Sequence, residues 1–273
     1  MNFHKYVGCG NDFILFDARK EIPRLDVSKL CHRQNGIGAD GVICLKKSDQ
    51  YDYRMSIFNA DGSEAEMCGN GIRCLGLFLS HLKEERRELM IETLAGPYPI
   101  VIEDGLVSVN MGAPNQVEFG IALDGLTIDY VNTGVPHAVI IADHAPTFPL
   151  EIHGEKIRNH TRFAPRGANV TIVSRSPEGF LFRTYERGVE AETLACGTGA
   201  CAAAFVARRH FNVNGPMTMI SKSEERIEIS FSGDQIIMKG AARRVFSGQI
   251  QGFEKHETDN HASLQLSGQY GST

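Results

Sequence analysis

The stretch Gly62-Ser63-Glu64-Ala65-Glu66, one residue, then Cys68-Gly69-Asn70-Gly71 has a second copy later in the chain. That copy is Gly188-Val189-Glu190-Ala191-Glu192, three residues, then Cys196-Gly197-Thr198-Gly199. Each copy follows an alternating apolar run, YRMSIFN or FLFRTYE, and precedes the longest helix-like run of its half. One shared residue would be chance. Shared order, shared context and a shared downstream helix point to a duplicated supersecondary unit. No other feature restricts the fold as much, because both copies must set a cysteine at the same point of one strand–turn–helix. Pseudo-two-fold symmetry follows, with one cysteine block per half.

Short apolar runs alternate with turn residues around these blocks. FHKYV, FILFDA, GVICL, YRMSIF, LMIETL, PIVIE and LVSVNMG are expected strands of the first half. LTIDYVNTG, HAVIIAD, NVTIVSR, FLFRTYE, MTMIS, IEISFS, QIIMKG and RRVFSGQIQGF are expected strands of the second. GIRCLGLFLSHLKE and GTGACAAAFVARRH are the dominant expected helices, with VSKLCHRQ and EIHGEKIRNH as shorter ones. Gly, Pro and Asn cluster in MGAPNQVEFG, residues 111–120, which places a boundary between halves 1–114 and 115–254. Residues 255–273 read as a polar tail. The expected class is therefore α+β, in two pseudo-symmetric domains.

Over 273 residues, 42% hydrophobic and 22% charged, the composition is that of a globular protein with a sizeable core. A net charge of −5 gives no electrostatic case for nucleic acid or membrane partners. MNFHKYVGCGNDF lacks the apolar core of a signal peptide, and no apolar stretch approaches a membrane span. Seven scattered cysteines fit free thiols in a reducing, cytoplasmic setting.

A cysteine at a helix start meets backbone N–H groups with no intrahelical partner and a partial positive charge. Its pKa is expected to fall there, which puts the thiolate within reach near neutral pH. The glycines behind it let a ligand approach those N–H groups closely. Asn70 and Thr198 hold equivalent places and suit orienting the turn. If the two halves face each other, Cys68 and Cys196 flank one ligand whose carboxylate rests between two helix starts. One thiolate then removes a proton from the neighbouring carbon while the other thiol supplies one to the opposite face, inverting a stereocentre. The helix ends stabilise the carbanion electrostatically.

Most cysteines in proteins are packing residues, and Cys9, Cys31, Cys44, Cys74 and Cys201 are read that way. Zinc would want a completing His pair, which neither cysteine block has. A redox pair would want C-x-x-C. GIGADG, residues 36–41, formally matches a dinucleotide fingerprint but leads into a strand, the wrong order. Its glycines are expected to build a turn close to the ligand. With no Walker lysine either, cofactor-free chemistry is expected. Asn11, Asn59, His137, Asn169 and the Glu186-Arg187 pair stand at turns, where Arg187 could clamp a carboxylate.

These segments carry a resemblance. GCGNDF, NGIGADG, FNADGSEAEMCGNGIRC, TGVPHAV, FAPRGANVTIV, TYERGVEAETLACGTGA and RRVFSG together resemble the diaminopimelate epimerases, to about residue 252. The resemblance implies two mixed β-sheets, each wrapped round a central helix, with the active site in the interdomain cleft. It implies cofactor-independent interconversion of LL- and meso-diaminopimelate, toward lysine and peptidoglycan, and a homodimer. By position, Cys68 and Cys196 become the acid/base thiols, and Gly69, Asn70, Gly197 and Thr198 hold the reacting carboxylate. Asn11, Asn59, Asn169 and Arg187 hold the substrate, mostly at its distal end, with Glu186 and His137 near the reacting amino group or the thiols. Proline racemase and hydroxyproline epimerase also use paired thiols but lack the ERG…ETLACGTG form. A redox-sensing dithiol is the alternative of another class. One departure stands out: many family members have Gly-Asn-Pro-His where this chain has Gly134-Val135-Pro136-His137. Weaker selection at the distal end is expected, extending to slow racemisation of glutamate.

Overall fold

The structure, a computed structural model, describes residues 1–20 and 24–252. The expected polar tail lies outside the described residues.

The first half runs β1 (Asn2–Gly8), β2 (Asn11–Asp17), α1 (Val27–Cys31), β3 (Gly41–Lys46), β4 (Tyr53–Asn59) and β5 (Glu64–Ala65). It continues through α2 (Gly69–His81), β6 (Glu88–Thr93), β7 (Gly96–Glu103) and β8 (Leu106–Asn110). The second half has β9 (Asn115–Leu123), β10 (Leu126–Asn132), β11 (Pro136–Ile141), α3 (Leu150–Arg158), β12 (Asn169–Ser176) and β13 (Gly179–Glu186). Then follow β14 (Ala191–Thr193), α4 (Gly197–His210), β15 (Met217–Ile220), β16 (Arg226–Ser232), β17 (Gln235–Ala241) and β18 (Arg243–Gln249).

Strand pairing repeats step for step. β1 pairs antiparallel with β2, β2 parallel with β3, β3 antiparallel with β4, and β4 parallel with β6. β10, β11, β12, β13 and β15 repeat those four steps in the same senses. The short β5 and β14 pair with β4 and β13 in equivalent places. β8 joins β17 antiparallel, so the halves share one continuous sheet. The outermost strand beside β1 is β18, from the far end of the chain, and beside β10 it is β9.

Each curled half-sheet encloses one helix. In α2 every residue from Gly69 to Leu79 is buried, and in α4 the buried face runs from Gly197 to Ala207. A helix apolar on all sides belongs in the interior, and burying side chains such as Leu75 or Phe78 stabilises by about 1.5–3 kcal/mol each. Small residues let the strands close in. A Cβ on Gly76 would sit 2.8 Å from Val107 Cγ1 of β8. Alanines 202, 203, 204 and 207 do the same for α4.

Three sequence expectations change. β9 begins inside the stretch read as a boundary and runs past it: Val117, Phe119, Ile121 and Leu123 alternate along it, but Asn115, Gln116 and Gly120 read as turn residues and mask that period, and the strand pairs with β10. α2 ends at His81 rather than Glu84, because Lys83 adopts a left-handed φ of 62° that cannot continue a helix. The turn at residues 36–41 packs on α1 and is not among the residues that line the cleft between the two cysteine-capped helix starts. Ile37 and Gly38 N–H donate to the Leu30 carbonyl and Gly36 N–H to His32. A Cβ on Gly36 would lie 2.0 Å from the Lys29 carbonyl oxygen, so glycine is there for the close approach of backbone to helix end.

Candidate functional site

β4 and β13 each lead through a short hairpin strand into a cysteine at the helix N-cap. Cys68 caps α2 with φ −143° and its Sγ accepts from Gly71 N–H at 3.4 Å. Cys196 caps α4 with φ −127°, and its Sγ lies 3.4 Å from the Thr198 hydroxyl rather than accepting from a backbone N–H of the first turn. The two helix starts meet almost backbone to backbone: a Cβ on Gly197 would lie 3.2 Å from Gly69 Cα. This contact brings both cysteines to one cleft of about 170 Å³.

The cleft is lined by Asn11, Cys68, Gly69, Asn70, Asn169, Glu186, Arg187, Cys196, Gly197 and Thr198, with Met67, Val135 and Ala195. Ten of the twelve residues singled out in the sequence thus line one cavity. Asn11 Oδ1 is buried without a partner at its edge. The Asn169 carboxamide accepts from Arg187 N–H at 2.8 Å, fixing the turn that carries Arg187. His137 stands behind this wall, fully buried, its Nε2 bonded to Thr198 Oγ1 at 3.0 Å. Asn59 remains outside: it is exposed, and its Nδ2 donates to Ser63 Oγ at 3.0 Å. By strand register it is the counterpart of Glu186, since Asn59 faces Gly41 on β3 and Asn169 occupies the Gly41 position on β12.

The expectation that helix starts lower the thiol pKa meets a stronger opposing effect. Burial pushes Cys68 above the usual thiol value, against the pull of the Gly71 and Asn70 N–H groups. Burial pushes Cys196 well up too, reinforced by the Glu186 charge and opposed by the Thr198 hydroxyl and Gly199 N–H. The Glu186 carboxyl is itself raised by burial, while hydrogen bonds from Thr193 and Cys196 hold it down. Glu186 and Cys196 are thus close enough for each to influence the other's charge. Burial and nearby Arg187 push His137 down to about 3, so its imidazole is neutral.

The sequence reading missed Arg73. Its guanidinium is fully buried on α2 and donates to the Gly69 carbonyl at 3.1 Å and Asn70 Oδ1 at 3.0 Å. Asn70 Nδ2 in turn reaches the Ala195 carbonyl, next to Cys196, at 3.5 Å. Arg73 thus ties the two helix starts together through Asn70. A basic residue one turn into an apolar helix, where nothing else is charged, was the available signal. The repeated glutamates serve differently: Glu192 is buried between Arg183 and Lys222 and pins β14, whereas Glu66 is exposed.

A family model described as diaminopimelate epimerase matches residues 3–117 and 129–245. The diaminopimelate epimerase of Methanothrix thermoacetophila is 42% identical over 271 residues, covering 92% of this chain and 96% of that protein. The diaminopimelate epimerase of a Hydrogenobaculum species is 38% identical, covering 90% and 97%. Among solved structures, a phenazine biosynthesis protein from Bacillus anthracis superposes with a TM-score of 0.71 at 17% identity. It covers 92% of this chain and 99% of its own, a likeness of fold.

Proposed function

The chain belongs to the diaminopimelate epimerase family, isomerases of lysine biosynthesis, and from that premise we propose how its cleft inverts a carbon. The observation that carries the reading is the abutment of two cysteine-capped helix starts at Gly69 and Gly197. The substrate α-carboxylate lies against the open N–H groups of Gly69, Asn70, Gly197 and Thr198, where helix-end charge favours it and the carbanion that follows. Cys68 and Cys196 stand on opposite faces of the α-carbon.

Proton accounting gives Glu186 a role. The Cys196 thiol passes its proton to the Glu186 carboxylate and becomes the thiolate. The thiolate takes the α-proton, the electron pair left on carbon is held beside the carboxylate, and Cys68 delivers its proton to the other face. Cys68 is left as the thiolate, so the site runs backwards by the mirror sequence. His137 holds Thr198 from behind. Asn11, Asn169 and Arg187 hold the distal end of the substrate, Asn59 acts from the outer end of β4, and Val135 relaxes selection there. A cytoplasmic homodimer, each chain built of halves 1–114 and 115–254, completes the reading.

Solvent deuterium uptake at the α-carbon tests it. Cys68→Ser and Cys196→Ser should each lose about 100- to 10,000-fold in epimerisation. Full epimerisation by either variant would sink the two-thiol mechanism.

A further inference from the structure

A buried hydrogen-bond chain lies behind one thiol and not the other. Thr184 Oγ1 is 3.1 Å from Thr171 Oγ1, which is 2.9 Å from His137 Nδ1. His137 Nε2 is 3.0 Å from Thr198 Oγ1, which is 3.4 Å from Cys196 Sγ. We propose that Thr184 and Thr171 are positioning residues, which act through His137 and Thr198 to aim a hydroxyl donor at the Cys196 thiolate. This rests on Cys196 being an acid/base thiol.

The direction of the chain follows from its closed end. Among the described residues Thr171 is the only side-chain partner of the Thr184 hydroxyl, and Thr184 is 2% exposed. A buried hydroxyl that does not donate leaves its proton unsatisfied, at a cost, so Thr184 donates to Thr171. The Thr171 proton must then go to His137 Nδ1. A neutral imidazole has one donor and one acceptor, so Nε2 carries the hydrogen and donates to Thr198 Oγ1. The Thr198 proton is left for the sulfur. Every link points toward Cys196, and the chain favours that sulfur when it is negative.

The first half has no counterpart. Strand register puts Ile43 where Thr171 stands, Ile57 where Thr184 stands and Phe13 where His137 stands. The glycines after each cysteine see the same exchange. A Cβ on Gly71 would meet Ile57 at 2.9 Å and Ile43 at 3.1 Å, and one on Gly199 would meet Thr184 Oγ1 at 2.6 Å. The duplicated fold thus gives Cys68 an apolar floor and Cys196 a polar one. The titratable groups facing Cys196 are Glu186 at the end of β13 and Cys68 across the cleft, and Arg187 faces His137. None of them is altered by changing a threonine.

Iodoacetamide alkylation across a pH series, read by peptide mass spectrometry, follows the two thiols separately and needs no turnover. Thr171→Val should raise the alkylation midpoint of Cys196 by about 0.5–1 pH unit and leave Cys68 where it was. Thr184→Val, one link further away and easier to accommodate, should shift it less in the same direction. Thr171→Ser and Thr184→Ser keep the hydroxyls and should match the parent. Equal shifts at both thiols, no shift at Cys196, or serine variants that behave as the valine ones would overturn the proposal. Loss of the two-thiol mechanism would instead show as active Cys→Ser variants, a separate result.

Discussion

Gly197→Ala puts the contact between the two helix starts to the test. The added Cβ would sit 3.2 Å from Gly69 Cα and 3.4 Å from Met238 Sδ. Carbon pairs rest at about 3.5–4.0 Å, so the two backbones must part by roughly 0.3–0.8 Å. The obstacle is the backbone of the other helix start, which cannot swing aside. Overpacking of this kind costs about 1–3 kcal/mol, and alanine returns up to about 1 kcal/mol over glycine in a helix. Stability should therefore fall by no more than about 3 kcal/mol. Activity should suffer more, because each displaced glycine adjoins a thiol that we propose reacts. A misplacement of about 1 Å costs about 100-fold, so half of that costs about tenfold in kcat/KM. Gly69→Ala should be milder, since its 3.0 Å contact is Met238 Cε, the end of a flexible side chain, and Gly197 Cα lies at 3.4 Å. Proton NMR of α-hydrogen exchange in deuterium oxide, beside thermal melts, measures both effects. Parent kcat/KM in Gly197→Ala, or a loss no greater than its unfolded fraction, would refute the geometric argument.

Two further outcomes are expected. Native stability should be greatest between about pH 6.5 and the ordinary thiol pKa of about 8.5. Below that window the unfolded chain protonates His137, held down to about 3 in the fold, so stability is lost as pH falls from 6.5. Above it the unfolded chain ionises Cys9, Cys31 and Cys44, each pushed up to about 11 by burial, so stability falls as pH rises toward 11. Melts across pH check both flanks; a flat profile to pH 11 would contradict the buried thiols. Separately, Val135 lines the cleft and its side chain offers no hydrogen bond. Slow racemisation of L-glutamate is expected, and Val135→Asn should sharpen the preference for diaminopimelate by about 10- to 100-fold. Chiral analysis that finds no D-glutamate above the blank ends that idea.

The duplication, the two cysteine-headed helices and the residues around them were legible in the sequence because each has a local cause. Apolar period, glycine after cysteine and the order of blocks survive as letters. Helix α4 has the same bounds in the sequence and in the structure. Most of what stayed hidden depends on partners distant in the chain, although β9 does not. β9 is masked for a local reason: Val117, Phe119, Ile121 and Leu123 alternate, but the Gly, Asn and Gln among them read as a turn, and only its pairing with β10 shows the strand. Arg73 draws its role from Gly69 and Asn70 on its own helix, and through Asn70 from Ala195 of the other half. Helix position alone favoured low thiol pKa values, yet only packing reveals how much water each sulfur loses, and that loss reverses the direction for Cys68 and Cys196. The sequence by itself determined that there are two thiols on two like helix starts. Tertiary structure decided that they are unlike, since Thr171, Thr184 and His137 meet behind one of them only when β11, β12 and β13 pair in register.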